Sequence, residues 1–209
     1  MKKLIVGIFL VQIIVLVAIG IPAGGAVNAI WKDPASGIVI RQDNPTHTIE
    51  SYYRLLDQKA YETMILLFEE DTRGDGVKEE FQAYMEGSGF SEAKLVKLFP
   101  ATVTGEYGVV GAVHIHPQDP DQPVLSILTL KQEDVKWEIV PNINNSELED
   151  MQQVLEKAVE VCHLVSKDPF PALTEVQKKN VKMQAEIGGQ YIRSNLDQLN
   201  QLLDSIKKP

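Results

Sequence analysis

His114 and His116 stand two residues apart in Val109 to His116, a stretch whose branched side chains read as a β-strand. Residues two apart on a strand point the same way, so both imidazoles can be presented to one metal ion. Two ligands do not make a centre, because zinc takes three or four. The nearest additional donors, Asp119 and Asp121, lie in the following loop and help only if that loop folds back. The simpler reading is a pair of histidines on a solvent face, since Val109, Val113 and Ile115 make the opposite side of the strand the more apolar one. Cys162 and His163 also carry nucleophile chemistry, but helix neighbours point about 100° apart and pair poorly. A small apolar core residue is the better reading of Cys162.

Carboxylates and rings supply a second set of candidates. Tyr52, Tyr53, Tyr61 and Trp137 can line an apolar pocket, although such rings more commonly fill a core. An enzyme built there needs an ionisable group inside the pocket, and Glu50, Glu62, Glu138 and His114 are the residues to inspect. Asp71 to Gln82 invites comparison with a calcium loop. Arg73 stands at the third ligand position and Gln82 replaces the bidentate glutamate, so calcium is not expected. Arg73-Gly74-Asp75 spells an adhesion tripeptide and Asn144-Asn145-Ser146 a glycosylation sequon, both short enough to arise by chance. No phosphate loop, serine elbow or cysteine cluster is present, and no cofactor is implied.

The elements that must position these residues follow from periodicity. Asn44 and Pro45 open a helix in which Ile49, Tyr53 and Leu56 share a face. A break near Asp57 to Lys59 gives a second helix over Tyr61 to Phe68. After the turn Asp71 to Gly76, Val77 to Met85 form a third, which Gly87 can end in the left-handed conformation. From Leu95 the period is two. Ala101 to Tyr107, Val109 to His116, Val124 to Lys131 and Val135 to Val140 read as strands joined by connections too short for crossover helices, which makes an antiparallel meander. Beyond Pro141 the period is helical again. Ser146 with Glu149 forms a capping box, Leu148, Met151, Leu155, Ala158, Cys162 and Val165 trace a seam, and Asp168-Pro169-Phe170-Pro171 breaks the helix. A last helix from about Leu173 has Val176, Met183, Ile187, Leu196, Leu199, Leu203 and Ile206 on its apolar side and a weak point at Gly188-Gly189.

Met1-Lys2-Lys3 precedes an apolar run from Leu4 to Ile21, 18 residues with Gln12 alone polar. That length suits a spanning helix, for which about 17 residues is the lower limit, better than the core of a signal peptide. Ala26 and Ala29 among the small residues that follow still permit cleavage. Under either reading the lysines stay on the cytoplasmic side and the rest is translocated. The expected location is extracytoplasmic, anchored by this helix or released after cleavage.

Residues 30–209 carry 18 basic and 29 acidic side chains, a net charge of −11. An acidic surface repels phosphate backbones, so nucleic acid is not an expected partner. A single cysteine excludes an internal disulfide, and stability must come from a core that 44% hydrophobic residues can build. The chain divides into a signal peptide or anchor over 1–29, a linker over 30–44 with one short strand at Ile38 to Ile40, an α+β domain over 45–143 and a helical hairpin over 144–209.

Ile49-Glu50-Ser51-Tyr52-Tyr53-Arg54-Leu55-Leu56 before a polar step, Tyr61 to Phe68 after it, and Val135-Lys136-Trp137-Glu138-Ile139 near the end of the meander resemble the nuclear-transport-factor-2-like superfamily, in its exported bacterial form. The resemblance covers residues 45 to 141 and implies helices packed on a curved antiparallel sheet, a cone with an interior. That superfamily hosts isomerases, dehydratases, ligand binders and protein-binding adaptors, so it does not choose the function. No catalytic residue carries over. The expectation is a non-catalytic, exported, membrane-tethered module of the cell envelope whose partner is another protein or a second copy of the chain. The alternative is a small-molecule binder or a lyase/isomerase-type enzyme using the interior of the cone.

Overall fold

The computed structural model describes residues 28–74, 76–141 and 148–207. The apolar run from Leu4 to Ile21, Asp75 of the adhesion-like tripeptide, the sequon and Ser146 of the capping box lie outside them. Among the described residues no helix is long and apolar enough to cross a membrane.

The architecture is α+β with antiparallel sheets. Residues expected to run as a linker form a hairpin of β1 (Ile30–Lys32) and β2 (Val39–Arg41), two strands where one was expected. Its loop is built on Asp33, whose carboxylate accepts from the backbone N–H of Ser36 at 2.6 Å and from the Thr63 hydroxyl at 3.1 Å. The Ser36 contacts, with Thr63 adding to them, hold this buried carboxyl below its usual range. Ile40 is fully buried, so the hairpin belongs to the core.

α1 (Pro45–Asp57) begins as its sequence requires: the Asn44 side chain accepts from the N–H of His47, and proline occupies the first turn. Lys59 takes a positive φ of 54° at the break before α2 (Tyr61–Ile65), which is shorter than expected. α3 (Val77–Gly87) retains Gly87 as its last helical residue. The left-handed position is Gly89 instead, at φ 71°.

The five-stranded sheet runs β3-β5-β6-β7, with β4 also paired to β5. The strands are β3 (Lys94–Leu98), β4 (Thr102–Thr104), β5 (Tyr107–Ile115), β6 (Val124–Glu133) and β7 (Lys136–Val140). The stretch expected as one strand, Ala101 to Tyr107, is a hairpin: Gly105 at φ 53° opens a two-residue loop and returns the chain into β5. The outer edge of β7 is occupied, since Trp137 N–H donates to Gln42 O at 2.8 Å and Ile139 N–H to Leu67 O at 2.7 Å.

β5 is buried on both faces. Val110 and Ala112 join Tyr52, Tyr53, Leu56, Met64, Phe81, Trp137 and Ile139 in one cluster. Tyr107, Val109 and Val113 join a second with side chains from α4 (Leu148–Lys167) and α5 (Glu175–Lys207). The helical pair therefore packs on the sheet. Its seam differs from the expected line: Val154 and Val161 are buried with Ala158, Cys162 and Val165. Two glycines permit close approach, one on each face. A Cβ at Gly108 would meet Pro45 Cγ at 2.6 Å, and one at Gly111 would meet Val161 Cγ1 at 2.7 Å.

α5 is one unbroken helix of 33 residues. Gly189, expected as a weak point, lies against α4: a Cβ there would stand 3.2 Å from Cys162 Cβ. Thr174 and Gln177 form the capping box that opens α5, each side chain accepting from the other residue's N–H.

Candidate functional site

The register of β5 places His114 opposite Leu95 of β3 and Val124 of β6, pointing into the α1 side of the sheet. It is buried, 3% exposed, which overturns the expected solvent-facing pair. Tyr53 of α1 brings its hydroxyl to 3.3 Å from His114 Nδ1, and the Phe90 ring stands edge-on at 5.0 Å. Burial, with a smaller contribution from the neighbouring His116, depresses the His114 pKa to about 4. Burial also pushes the Tyr53 phenol upward. Both groups are neutral at pH 7 and share one hydrogen bond. An imidazole of that pKa is a weak general base at neutral pH, where efficient proton transfer wants a pKa close to 7.

His116 points the same way but is otherwise engaged. Its Nε2 contacts the carbonyl of Gly89, and its Nδ1 accepts from Gln118 N–H at 3.2 Å. The loop that would have to bring Asp119 and Asp121 back is tied to α5 instead. Gln177 Nε2 donates to Pro120 O at 2.6 Å, Asn180 Nδ2 to Asp121 O at 2.9 Å and Gln184 Nε2 to Pro123 O at 2.6 Å. Among the described residues no group of three or more His, Cys, Asp or Glu side chains could hold a metal ion. The spacing of Gln177, Asn180 and Gln184 puts them on one side of a helix, a legible pattern whose partners sequence does not reveal.

Tyr52, Tyr53, Tyr61 and Trp137 are all buried in the first core cluster. Their rings meet neighbours edge to face: Tyr52 on Tyr53 at 5.3 Å and on Phe68 at 6.2 Å, and Tyr61 on Phe81 at 6.5 Å. Such packing consumes the apolar faces a ligand would use. Of the carboxylates singled out, Glu62 is exposed and Glu50 partly buried, while Glu138 is 7% exposed. Burial raises the Glu138 pKa, against the opposing pull of Arg73, whose guanidinium donates to it at 2.6 Å and also to the carbonyl of Phe68. This pair fastens the segment after α2 to β7. Cys162 is buried, its thiol raised to about 11, and His163 is exposed, so no nucleophile pair forms.

The expected apolar side of α5 divides in two. Leu199 and Leu203 are buried, as are Val181 and Ala185, whereas Val176, Met183, Ile187 and Ile206 are between 47% and 63% exposed. Tyr191 and Leu202 add to the exposed line at 60% and 47%. Among the described residues, α5 thus exposes six large apolar side chains along a broad side of one helix. No family model, curated protein or solved structure matches the chain.

Proposed function

We propose that the chain is a non-catalytic module, exported and held at the membrane by its N-terminal segment or released after cleavage there, that binds protein or assembles through α5. The observation that carries this reading is the exposed apolar line on α5, which lies on a helix already fixed to the sheet by its other side. An interface on a rigid element loses little conformational entropy on docking. The curved-sheet arrangement of the nuclear-transport-factor-2-like superfamily belongs to the same proposal, supported by the order of three helices followed by an antiparallel meander.

The test is a photo-reactive benzoylphenylalanine in place of Tyr191 in the full chain, irradiated in the membranes of expressing cells. A discrete covalent protein adduct is expected from position 191 and none from the exposed Glu156 of α4. Absence of an adduct at 191 removes the reading.

One observation favours the small-molecule or lyase/isomerase reading: His114 is a buried imidazole beside a tyrosine in apolar surroundings. A compound that raises the melting temperature of the native chain and leaves that of a His114→Gln variant unchanged would favour it over assembly.

A further inference from the structure

The register of the β1–β2 hairpin decides which of its side chains face outward. Ile30 pairs with Arg41 and Lys32 with Val39, so these four share one face, while Trp31 and Ile40 share the other. Ile40 is fully buried in the first core cluster and Trp31 packs against it. On the outward face Ile30 and Val39 are 50% and 46% exposed, each opposite a base. Arg41 is paired with Asp43 at 3.0 Å, whereas Lys32 is exposed and makes no ion pair among the described residues.

Two exposed aliphatic side chains would be ordinary on a free domain. Their place in the chain makes the difference. The apolar run ends at Ile21, and the nine residues from there to Ile30 reach at most about 32 Å when fully extended. The body formed by residues 30–209 is about 40 Å across. With Leu4 to Ile21 in a bilayer, that tether is too short for the far side of the body to turn to the lipid, and the hairpin is the part held nearest. Tethering at this range supplies an effective concentration on the order of millimolar, enough to populate a contact that could not capture a free protein.

Charge fits the same side. Residues 30–60 hold four bases and four acids, so the whole net charge of −11 lies in residues 61–209. The segment next to the tether has no negative excess for lipid phosphates to repel. Branched aliphatics that enter the acyl boundary, beside a lysine whose amine reaches a phosphate, are the chemistry of an interfacial contact.

Resting on the reading of Leu4 to Ile21 as a retained membrane anchor, we infer that the outward face of β1–β2 docks on the phospholipid surface, with Ile30 and Val39 at the acyl boundary and Lys32 on headgroup phosphate. α5 packs on the other face of the sheet from the cluster that holds Ile40, so the contact does not use it.

The full chain in vesicles of equimolar phosphatidylcholine and phosphatidylglycerol tests this, with a nitrobenzoxadiazole label on Val39→Cys or, as control, on Glu156→Cys at an exposed position of α4. The unsubstituted chain, whose Cys162 is buried, sets the background. Spin-labelled lipid should quench the label at 39, with a blue shift of its emission, and leave the label at 156 unchanged. Ile30→Asp with Lys32→Glu should abolish the quenching at 39 while circular dichroism stays native, since both side chains are exposed. Flotation of the vesicles separates the contact from the reading it rests on. If the chain floats and the label at 39 is not quenched, the anchor stands and the hairpin contact fails, leaving that face to a protein; if the chain does not float, both fail. Equal quenching at 39 and 156, or quenching at 39 that survives the paired substitution, would also overturn the contact.

Discussion

Val161 of α4 packs directly over Gly111 of β5, so closely that a Cβ at position 111 would stand 2.7 Å from Val161 Cγ1. The contact lies in the second core cluster, where the helical pair covers the sheet face opposite α1. Gly111→Ala should destabilise the chain by about 1–3 kcal/mol through overpacking. Val161→Ala alone should also destabilise it, because Val161 is fully buried. The double variant should lose less than the two single losses added together, since each relieves the other. Urea denaturation of the four proteins measures this, and strict additivity would mean that the clash is absorbed elsewhere.

The ion pair between Arg73 and Glu138 gives a second coupling of the same sign, electrostatic rather than steric in origin. Their side chains are 18% and 10% exposed, and the carboxylate has few other ways to satisfy its charge. Arg73→Met should cost about 3–5 kcal/mol, because it leaves an unpaired carboxylate in a site where burial already raises its pKa. Arg73→Met with Glu138→Leu should recover much of that loss. Thermal unfolding at pH 7 decides it; a double variant no better than the single one would show that the Arg73 contact to Phe68 O carries the stability.

Tyr61 buries its hydroxyl near Phe81, and that oxygen has no hydrogen-bond partner among the described residues. Removing it keeps the ring and its edge-to-face contact while deleting an unsatisfied polar atom. Tyr61→Phe should leave stability unchanged or raise it by about 1 kcal/mol. A clear loss, by calorimetry on the purified chain, would show that the hydroxyl has a partner after all.

What the sequence made legible was local. Asn44 and Pro45 set the start of α1, the polar step ended it, and alternation in Val124 to Lys131 and Val135 to Val140 marked strands. What it hid depends on contacts between residues far apart. The more apolar side of β5 was identified from Val109, Val113 and Ile115, and one-sided burial then put His114 in solvent. Helices more than 30 residues downstream cover that apolar side, while α1 covers the other, so His114 is interior. The same limit applies to α5, where counting at helical intervals merged a buried line and an exposed one. Cys162 explains Gly189 only once the helices are paired.

His114 should make stability depend on pH in a defined window. Its pKa is about 4 in the folded chain against 6.5 for the free side chain, burial being the main cause and His116 the lesser one. Among the described residues Tyr53, Phe90 and His116 face it, and none of these is a carboxylate that could hold its proton. Above pH 6.5 the imidazole is neutral in both states and contributes no slope. Between 6.5 and 4 the unfolded chain takes up a proton that the folded chain refuses, so stability falls as pH falls. Below about 4 both states hold it and the loss ends, having reached on the order of 3 kcal/mol. His114→Gln cannot titrate, and its stability relative to the native chain should therefore improve steadily from pH 6.5 to 4 while other groups cancel in the comparison. Urea midpoints at half-unit pH steps measure it. A constant difference between the two proteins across that window would mean that His114 titrates alike folded and unfolded, and that the Tyr53 contact does not hold it away from water.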